Sequence, residues 1–525
     1  MTSSKWQRPS LQYPKMPVFE LLRKTAQRLP EKPAVIDPQG GKTLTFADLE
    51  KESNILADFF LQWGVQKGDR ISFFLVNSWE YFVGFYAALK AGAIFSPINP
   101  TYRSLKVKHQ VDDAGSKILF VQHNLLPQVE GIVSSLLTVE KIVLTRTENE
   151  KADKRFLSLN SLLENPLCSS PPLPPAIFPE KDLAVLPYSS GTAGQGKGVM
   201  ISHFNLVANI IQSMNAVEAR EEDVFISFLP FNHIYGLTYY LGGAIYLGAT
   251  QVTMARFQAE ECLQLIEKYR ATVLFSVPPV LLALLNLPHG SNYDVSSLRM
   301  IWVGAAPLPP PVAWGIRQRF GVPVARNYGL SEASPTTHAN PSARIKEGSI
   351  GIPVSDCEDR IMDWDRGTKE MPGGEPGELA VRGPNVFQGY WNHPEETKLA
   401  LRDGWLYTGD IAWRDAEGYV YILDRKKEMI QRGEHKFAPA ELEGILMEHP
   451  AVRDCAVVGI PGPGAEEFPK AFVVLHPGVV VEPLELIEFV AERVPDYKQI
   501  REVALIPEIP KNFSGKILRR ILKRG

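Results

Sequence analysis

Apolar residues recur at helical spacing over residues 18–28, 46–63 and 79–91. Strand-length apolar runs at 33–37, 70–75 and 94–98 alternate with them. Helical stretches of ten or more residues alternating with short apolar runs predict a mostly parallel sheet covered by helices on both faces. Six prolines between 166 and 179 make a stiff connector rather than an element. The alternation then resumes: apolar runs at 223–228, 242–248 and 250–254, a helix over 259–269, a strand at 272–276, and a buried strand within 298–306 that ends in small residues. From 348 to 410 the texture changes to short β-like runs rich in Gly and Pro, which predicts a smaller β-rich lobe. Beyond 424 the pattern reads helix 439–448, strands 454–460 and 471–476, helix 483–493 and strand 503–506. That α+β unit is long enough to fold as its own domain. The expected division is therefore 1–423 and 424–525.

Length and charge sharpen this picture. A chain of 525 residues exceeds what one core supports. A net charge of -3 and a pI near 6.4 give no reason to expect nucleic acid or an anionic membrane surface. The most apolar stretches, 73–98 and 237–249, are interrupted by Asn77, Glu80 and Lys90 or are too short to span a bilayer, so they read as core. Neither a secretory h-region nor a peroxisomal tail is evident. Cys168, Cys262, Cys357 and Cys455 are scattered without ligand spacing, which argues against a zinc site or a disulfide framework and favours a reducing, cytoplasmic setting.

The stretch with the clearest chemistry is Tyr-Ser-Ser-Gly-Thr-Ala-Gly-Gln-Gly-Lys-Gly-Val at 188–199. Gly191, Gly194, Gly196 and Gly198 let a backbone approach a ligand with its N–H groups turned inward. Ser189, Ser190 and Thr192 add hydroxyls, and Lys197 adds a point charge. With a strand at 183–186 before it and a helix from His203 after it, the stretch predicts a phosphate loop between strand and helix. It is not a P-loop, because Gly198 stands where that motif needs Ser or Thr.

Six stretches together, in this order, resemble the adenylate-forming superfamily of acyl-CoA synthetases, luciferases and peptide-synthetase adenylation domains. They are 188–198, Leu-Pro-Phe-Asn-His-Ile-Tyr-Gly at 229–236, Asn-Tyr-Gly-Leu-Ser-Glu at 327–332, Gly-Trp-Leu-Tyr-Thr-Gly-Asp at 404–410, Asp-Arg-Lys-Lys-Glu-Met-Ile at 424–430, and Pro-Lys-Asn-Phe-Ser-Gly-Lys-Ile-Leu-Arg-Arg at 510–520. The resemblance implies an α/β protein: a large N-terminal domain of two α/β subdomains plus a β-barrel-like lobe, and a small mobile α+β C-terminal domain. It also implies a reaction in which a carboxylate attacks the α-phosphate of ATP, pyrophosphate leaves, and the acyl-AMP passes its acyl group to the thiol of coenzyme A. A homodimer is a candidate assembly.

The roles the resemblance implies follow residue by residue. Lys516 bridges the carboxylate and the α-phosphate, His233 gates the acyl carboxylate, and Glu332 with Thr192 attends Mg2+. ATP is expected against Ser189, Ser190, Gly191, Thr192, Gly194 and Lys197, against Gly304, Ala305 and Ala306, and against Asn327, Tyr328, Gly329 and Ser331. Asp410 accepts the ribose hydroxyls, with Arg425 as its partner and Ile422 nearby. Lys427 stands at the hinge, and Gln431, Gly433 and Glu434 lie along the pantetheine path. Taken alone, His233 would more often be a satisfied core histidine and Glu332 a helix-terminus acid. Arg519, Arg520 and Lys523 read as a solvated basic surface.

By comparison with 4-coumarate ligases, Tyr235, Tyr239, Trp302, Gly304, Gly329, Pro335 and Thr336 line the acyl pocket. Tyr239 and Trp302 are bulky there, which favours a short or medium-chain acid or a small ring. Ala193, Gly196, Gln431 and Glu434 depart from the family pattern. Two rival readings are a carrier-protein thiol as acceptor and a serine hydrolase, because Gly-Leu-Ser-Glu-Ala around Ser331 imitates a nucleophile elbow.

Overall fold

Short strands with flanking helices build two α/β layers, and the computed structural model describes residues 7–146, 155–167, 174–189, 196–364, 366–433, 435–462 and 466–523 of them. Among the described residues one sheet runs Ile352–Pro353, Thr336–Ala339, Val324–Gly329, Met300–Val303, Val273–Ser276, Val224–Ser227, Thr250–Thr253, Pro33–Asp37, Lys42–Thr45. Its centre, from Val324–Gly329 to Pro33–Asp37, is parallel, and both ends turn antiparallel. A second sheet is parallel from Leu183–Val185 through Ile94–Pro97, Arg70–Phe74, Ser116–Gln122 and Lys141–Thr145 to Phe156–Ser158. The expected alternation is thus present. The strands Ser116–Gln122 and Lys141–Thr145 extend it beyond the periodicity first read.

Local chemistry starts the helices that cover these sheets. Phe46–Gln62 opens on a capping box, with Asp48 N–H donating to Thr45 Oγ1 at 3.1 Å and Thr45 N–H donating to Asp48 Oδ2 at 3.0 Å. Trp79–Lys90 is buried all round, as a helix must be when both of its faces meet apolar neighbours. The polar residues that interrupt this apolar stretch are all buried, and each has a partner. Asn77 donates to the carbonyls of Ser227 and Leu229 and accepts from Phe231 N–H, which ties the second sheet to the first. Lys90, with no exposed side-chain surface, donates to Glu50 Oε2, Ser53 Oγ and Asn54 Oδ1 at 2.7–2.8 Å. Burial still pulls its ammonium down to about 8, against the pull of Glu50. No helix among the described residues is long and apolar enough to cross a membrane.

Two expectations need correcting. The glycine-rich stretch does not run from strand directly into helix, because Tyr188–Ser189 and Lys197–Ser202 form an antiparallel pair with Lys197 opposite Ser189. The helix His203–Ala216 begins only after that second strand. Residues 197–202 are half-buried or buried throughout, and Ser202 spends its hydroxyl capping the helix through Asn205 N–H. The helix end is therefore not free to face a phosphate. Residues 242–248 are helical: Leu237–Ala244 forms π turns between short α segments, a local widening that often accompanies functional sites.

The β-rich lobe is a five-stranded antiparallel sheet containing Gly377–Arg382, Trp405–Arg414 and Val420–Arg425. Past the turn Lys426–Glu428 the small domain holds its own core. Ile430, Leu442, Val457, Val473 and Val490 belong to an apolar cluster separate from the one that spans the large domain.

Candidate functional site

Paired strands bring the expected nucleotide-side residues together. Asp410 on Trp405–Arg414 stands opposite Arg425 on Val420–Arg425 in the ladder. The Arg425 Nε–H donates to Asp410 Oδ1 at 2.8 Å, and Tyr328 Oη donates to Asp410 Oδ2 at 2.5 Å. Asp410 raises the Arg425 guanidinium above its ordinary value, and burial pushes the Tyr328 phenol well up. Both donors therefore stay protonated at any working pH. Ile422 lies on the same strand as Arg425 and is partly buried against the large core.

Tyr328 lies next to the end of the strand Val324–Gly329, and the chain then turns through Ser331–Ala333, placing Glu332 beside the second sheet. Tyr390 Oη donates to Glu332 Oε1 at 2.8 Å. Tyr390 also lies 5.4 Å beneath the Lys197 ammonium, which pairs with Glu396 at 3.0 Å. Neither Tyr390 nor Glu396 carries a recognisable motif. Both come to the site through the strand Gly389–Tyr390, which pairs with Lys197–Ser202, and the helix Pro394–Ala400 behind it. Ser190, Gly191, Thr192 and Gly194 lie outside the described residues, as does Glu434. Among the described residues no histidine donates to or accepts from Ser331, so the nucleophile-elbow geometry is missing there.

The loop at 512–516 closes this cleft from the small domain. Asn512 Oδ1 accepts from the N–H groups of Ser514 and Lys516 at 3.1 and 2.9 Å, which fixes the turn. Phe513 packs edge-on against His233, with ring centroids 5.3 Å apart. Gly515, at φ +88°, lies so close to Pro279 that a Cβ would come within 2.8 Å of its Cγ. The Lys516 side chain is solvent-exposed on this loop. Desolvation, with Arg425 and Lys427 adding to it, pulls the ammonium down to about 8 against Asp410 and Asp424. A cation held this way recovers stability when an anion arrives. Burial likewise lowers His233 to about 4, so it is neutral, and its Nδ1 accepts from Tyr235 N–H at 3.3 Å.

The expected acyl pocket is tightly filled. Tyr239 and Trp302 have no exposed surface. Asn327 Nδ2 donates to Tyr239 Oη at 2.8 Å, Tyr239 Oη pairs with Thr336 Oγ1 at 3.0 Å, and Ser213 Oγ donates to Thr336 Oγ1 at 2.9 Å. Tyr235 Oη reaches Asn327 at 3.3 Å, and the two tyrosine rings meet edge to face at 4.7 Å. A Cβ at Gly304 would stand 2.7 Å from Asn327 Oδ1, so a larger residue there would force the Asn327 side chain to shift. Ala305 sits at φ +68° and Ala306 N–H donates to the Gly304 carbonyl, turning the chain outward at the strand's end. Pro335 is buried, and its carbonyl accepts from Leu330 N–H just past Gly329.

Lys427 is exposed on the turn between the lobe and the small domain, and burial of its stem lowers its ammonium. Gln431 accompanies it at the start of the hairpin with His435–Phe437, where Gly433 adopts φ +60°. Arg519 is not a solvated surface charge. It is largely buried, pairing with Glu443 at 2.7 Å and with Asp424 at 3.4 Å, and it ties the C-terminal turn to the boundary strand. A charge run at a chain end hides such a partner because both carboxylates are far away in sequence.

A family model described as AMP-binding enzyme matches residues 22–391, and the AMP-binding enzyme C-terminal domain matches 441–516. The long-chain-fatty-acid--CoA ligase of Bacillus subtilis (strain 168) is 35% identical over 98% of this chain and 95% of its own length. The 4-coumarate--CoA ligase of Pinus taeda is 35% identical over 94% of this chain and 92% of its own. The crystal structure of ATP-bound MatB from Rhodopseudomonas palustris, 27% identical, superposes with a TM-score of 0.88 over 97% of this chain and 99% of that one.

Proposed function

The chain belongs to the AMP-binding enzyme family, and from that premise we propose that it is an ATP-dependent carboxylic acid–CoA ligase working through an acyl-AMP. The observation that carries this reading is the convergence of Lys516 and Arg425, from beyond the boundary at 424, with Asp410, Tyr328 and Glu332 of the large domain. A carboxylate and a triphosphate repel each other, so joining them requires positive charge and donors placed in advance where negative charge gathers.

Asp410 accepts the ribose hydroxyls, and Tyr328 offers its ring to the base. Ser189, Ser190, Gly191, Thr192, Gly194 and Lys197 receive the phosphates. One carboxylate oxygen attacks the α-phosphorus while the bond to the β-phosphate oxygen breaks and pyrophosphate leaves. Lys516 faces the charge that gathers between the two anions. In the second step the thiol sulfur of CoA attacks the acyl carbon, the bond to AMP breaks, and the thiol proton passes to solvent. His233, neutral and hinged on Phe513, controls entry beside the acyl carbon. Glu332 supplies a hard oxygen ligand suited to Mg2+, which binds through one or two carboxylates together with substrate phosphates; the ion would neutralise phosphate charge there. Thr192 completes that set.

The domains divide as 1–423 and 424–525, with Lys427 at the hinge and Gln431, Gly433 and Glu434 along the thiol's path. The filled pocket behind Gly304 favours a short or small-ring acid. The relatives' names point to two different acids, so the pocket is the better guide. The buried free thiols of Cys262, Cys357 and Cys455 suit a reducing cytoplasm. Pyrophosphate release from ATP with a panel of carboxylic acids, with and without CoA, tests the proposal. Acid-dependent release accelerated by CoA is expected, and no release with any acid would overturn it.

A further inference from the structure

In the second sheet the chain leaves Arg70–Phe74 for Ile94–Pro97 on one side, then crosses back to pair Ser116–Gln122 on the other, all three parallel. The carboxyl ends of strands at such a reversal leave a crevice in which α/β proteins bind ligands. A cavity of about 820 Å³ opens here. It is lined by Trp79 and Glu80 after the first of these strands, His123 after Ser116–Gln122, Arg146 after Lys141–Thr145, and Lys42 and Glu164 from neighbouring segments. None of these residues belongs to the six motif stretches or to the cleft of the proposed reaction.

The positive end of the helix Trp79–Lys90 is already answered. Trp79 N–H donates to Asp37 Oδ2 at 3.2 Å, and Glu80 sits in the first turn. Arg146, from a left-handed backbone at φ +57°, donates to Asp37 Oδ2 at 2.9 Å and to Glu80 Oε1 at 3.3 Å. Lys42 donates to Glu52 Oε1 at 2.7 Å and holds its ammonium 3.8 Å above the Trp79 ring. Both cations are engaged, but the second oxygen of Glu80 is not. Glu80 is 1% exposed, and its Oε2 has no hydrogen-bond partner among the described residues. Glu52 Oε2 is buried without a partner as well.

At the cavity and directly behind it, the described carboxylates are Asp37, Glu52, Glu80 and Glu164, against the lysine and arginine charges of Lys42 and Arg146. Positive charge is therefore short where a carboxylate oxygen is buried and idle, a costly arrangement. Burial pushes the Glu80 carboxyl up against the pull of Arg146, and an arriving ammonium would relieve it. A phosphate or carboxylate would instead meet like charges at the helix start. The chemistry selects a cation with N–H donors.

We infer that this cavity is a second binding site, for a small organic polycation of the polyamine class, with one primary ammonium received by Glu80 Oε2 and another by the exposed Glu164 at the mouth. The inference goes beyond the ligase reading and does not depend on it.

The test is isothermal titration of the full chain at near-physiological salt with spermidine, and with tetramethylammonium as a cation that has no N–H. Spermidine is expected to bind once per chain with a Kd of about 100 µM or tighter, and tetramethylammonium about tenfold more weakly or worse. Glu80→Gln, nearly the same shape without the charge, should weaken spermidine about tenfold or more, and Glu164→Gln about threefold, with thermal midpoints checked in parallel. No binding of spermidine, equal binding of tetramethylammonium, or unchanged spermidine affinity in Glu80→Gln would overturn the inference. If Glu80→Gln fails to fold, the comparison of the two cations and the Glu164→Gln titration decide it, and an unchanged affinity in Glu164→Gln overturns it.

Discussion

Replacing Lys516 by Ala removes an ammonium that the small domain brings beside Asp410 and Arg425. Two unit charges about 4 Å apart at an effective dielectric near 20 interact by about 4 kcal/mol. Only the part that grows between ground and transition state affects the rate, and loss of one preorganised group of this kind costs about 3 kcal/mol, or 10²–10³ in rate. Exchange of labelled pyrophosphate into ATP should therefore fall by that factor, while thioester formation from a supplied acyl-adenylate should not. The same group predicts a pH limb. In the free enzyme its ammonium titrates at about 8, so the required charged form is present below that pH and lost above it. The kcat/KM for exchange should fall about tenfold per unit above pH 8. Bound anions favour the charged form, so the limb in kcat should lie higher. Lys516→Arg, charged at every accessible pH, should lose the limb even if its absolute rate is poor. Equal damage to both half-reactions in Lys516→Ala, or a flat kcat/KM profile through pH 9, would refute the reasoning.

Asp410→Asn should raise the KM for ATP about tenfold and lower stability by about 2 kcal/mol, because the Arg425 guanidinium loses its counter-charge; steady-state kinetics and urea melts check the two parts. Glu396→Gln should lower the KM for ATP several-fold by releasing Lys197 from its ion pair, and an unchanged or higher KM would show that the pair instead positions Lys197 for phosphate. Lys427→Pro fixes φ on the turn Lys426–Glu428 and should slow thioester formation more than pyrophosphate exchange; equal slowing would remove the hinge role.

Much of this arrangement was legible from residue order. Helical and strand periods in the first hundred residues predicted the layered α/β architecture, because burial on both sides of a parallel sheet leaves near-continuous apolar runs. Asp410, Arg425, Tyr328 and Lys516 were named by the family resemblance that the six stretches carry together, not by any one of them alone. Other features were hidden. The hairpin at Lys197–Ser202 was obscured by glycines that leave no period to read. Tyr390, Glu396 and Phe513 gained their positions from pairing and docking between distant segments.

The sequence by itself determined most of which apolar residues bury themselves, because transfer out of water is largely a property of single side chains. Only the tertiary structure decided which of them meet. It made Arg519 a buried partner of Glu443 and held Lys516 down to about 8. Desolvation and hydrogen bonding depend on what a folded neighbour supplies, and that neighbour stands far away along the chain.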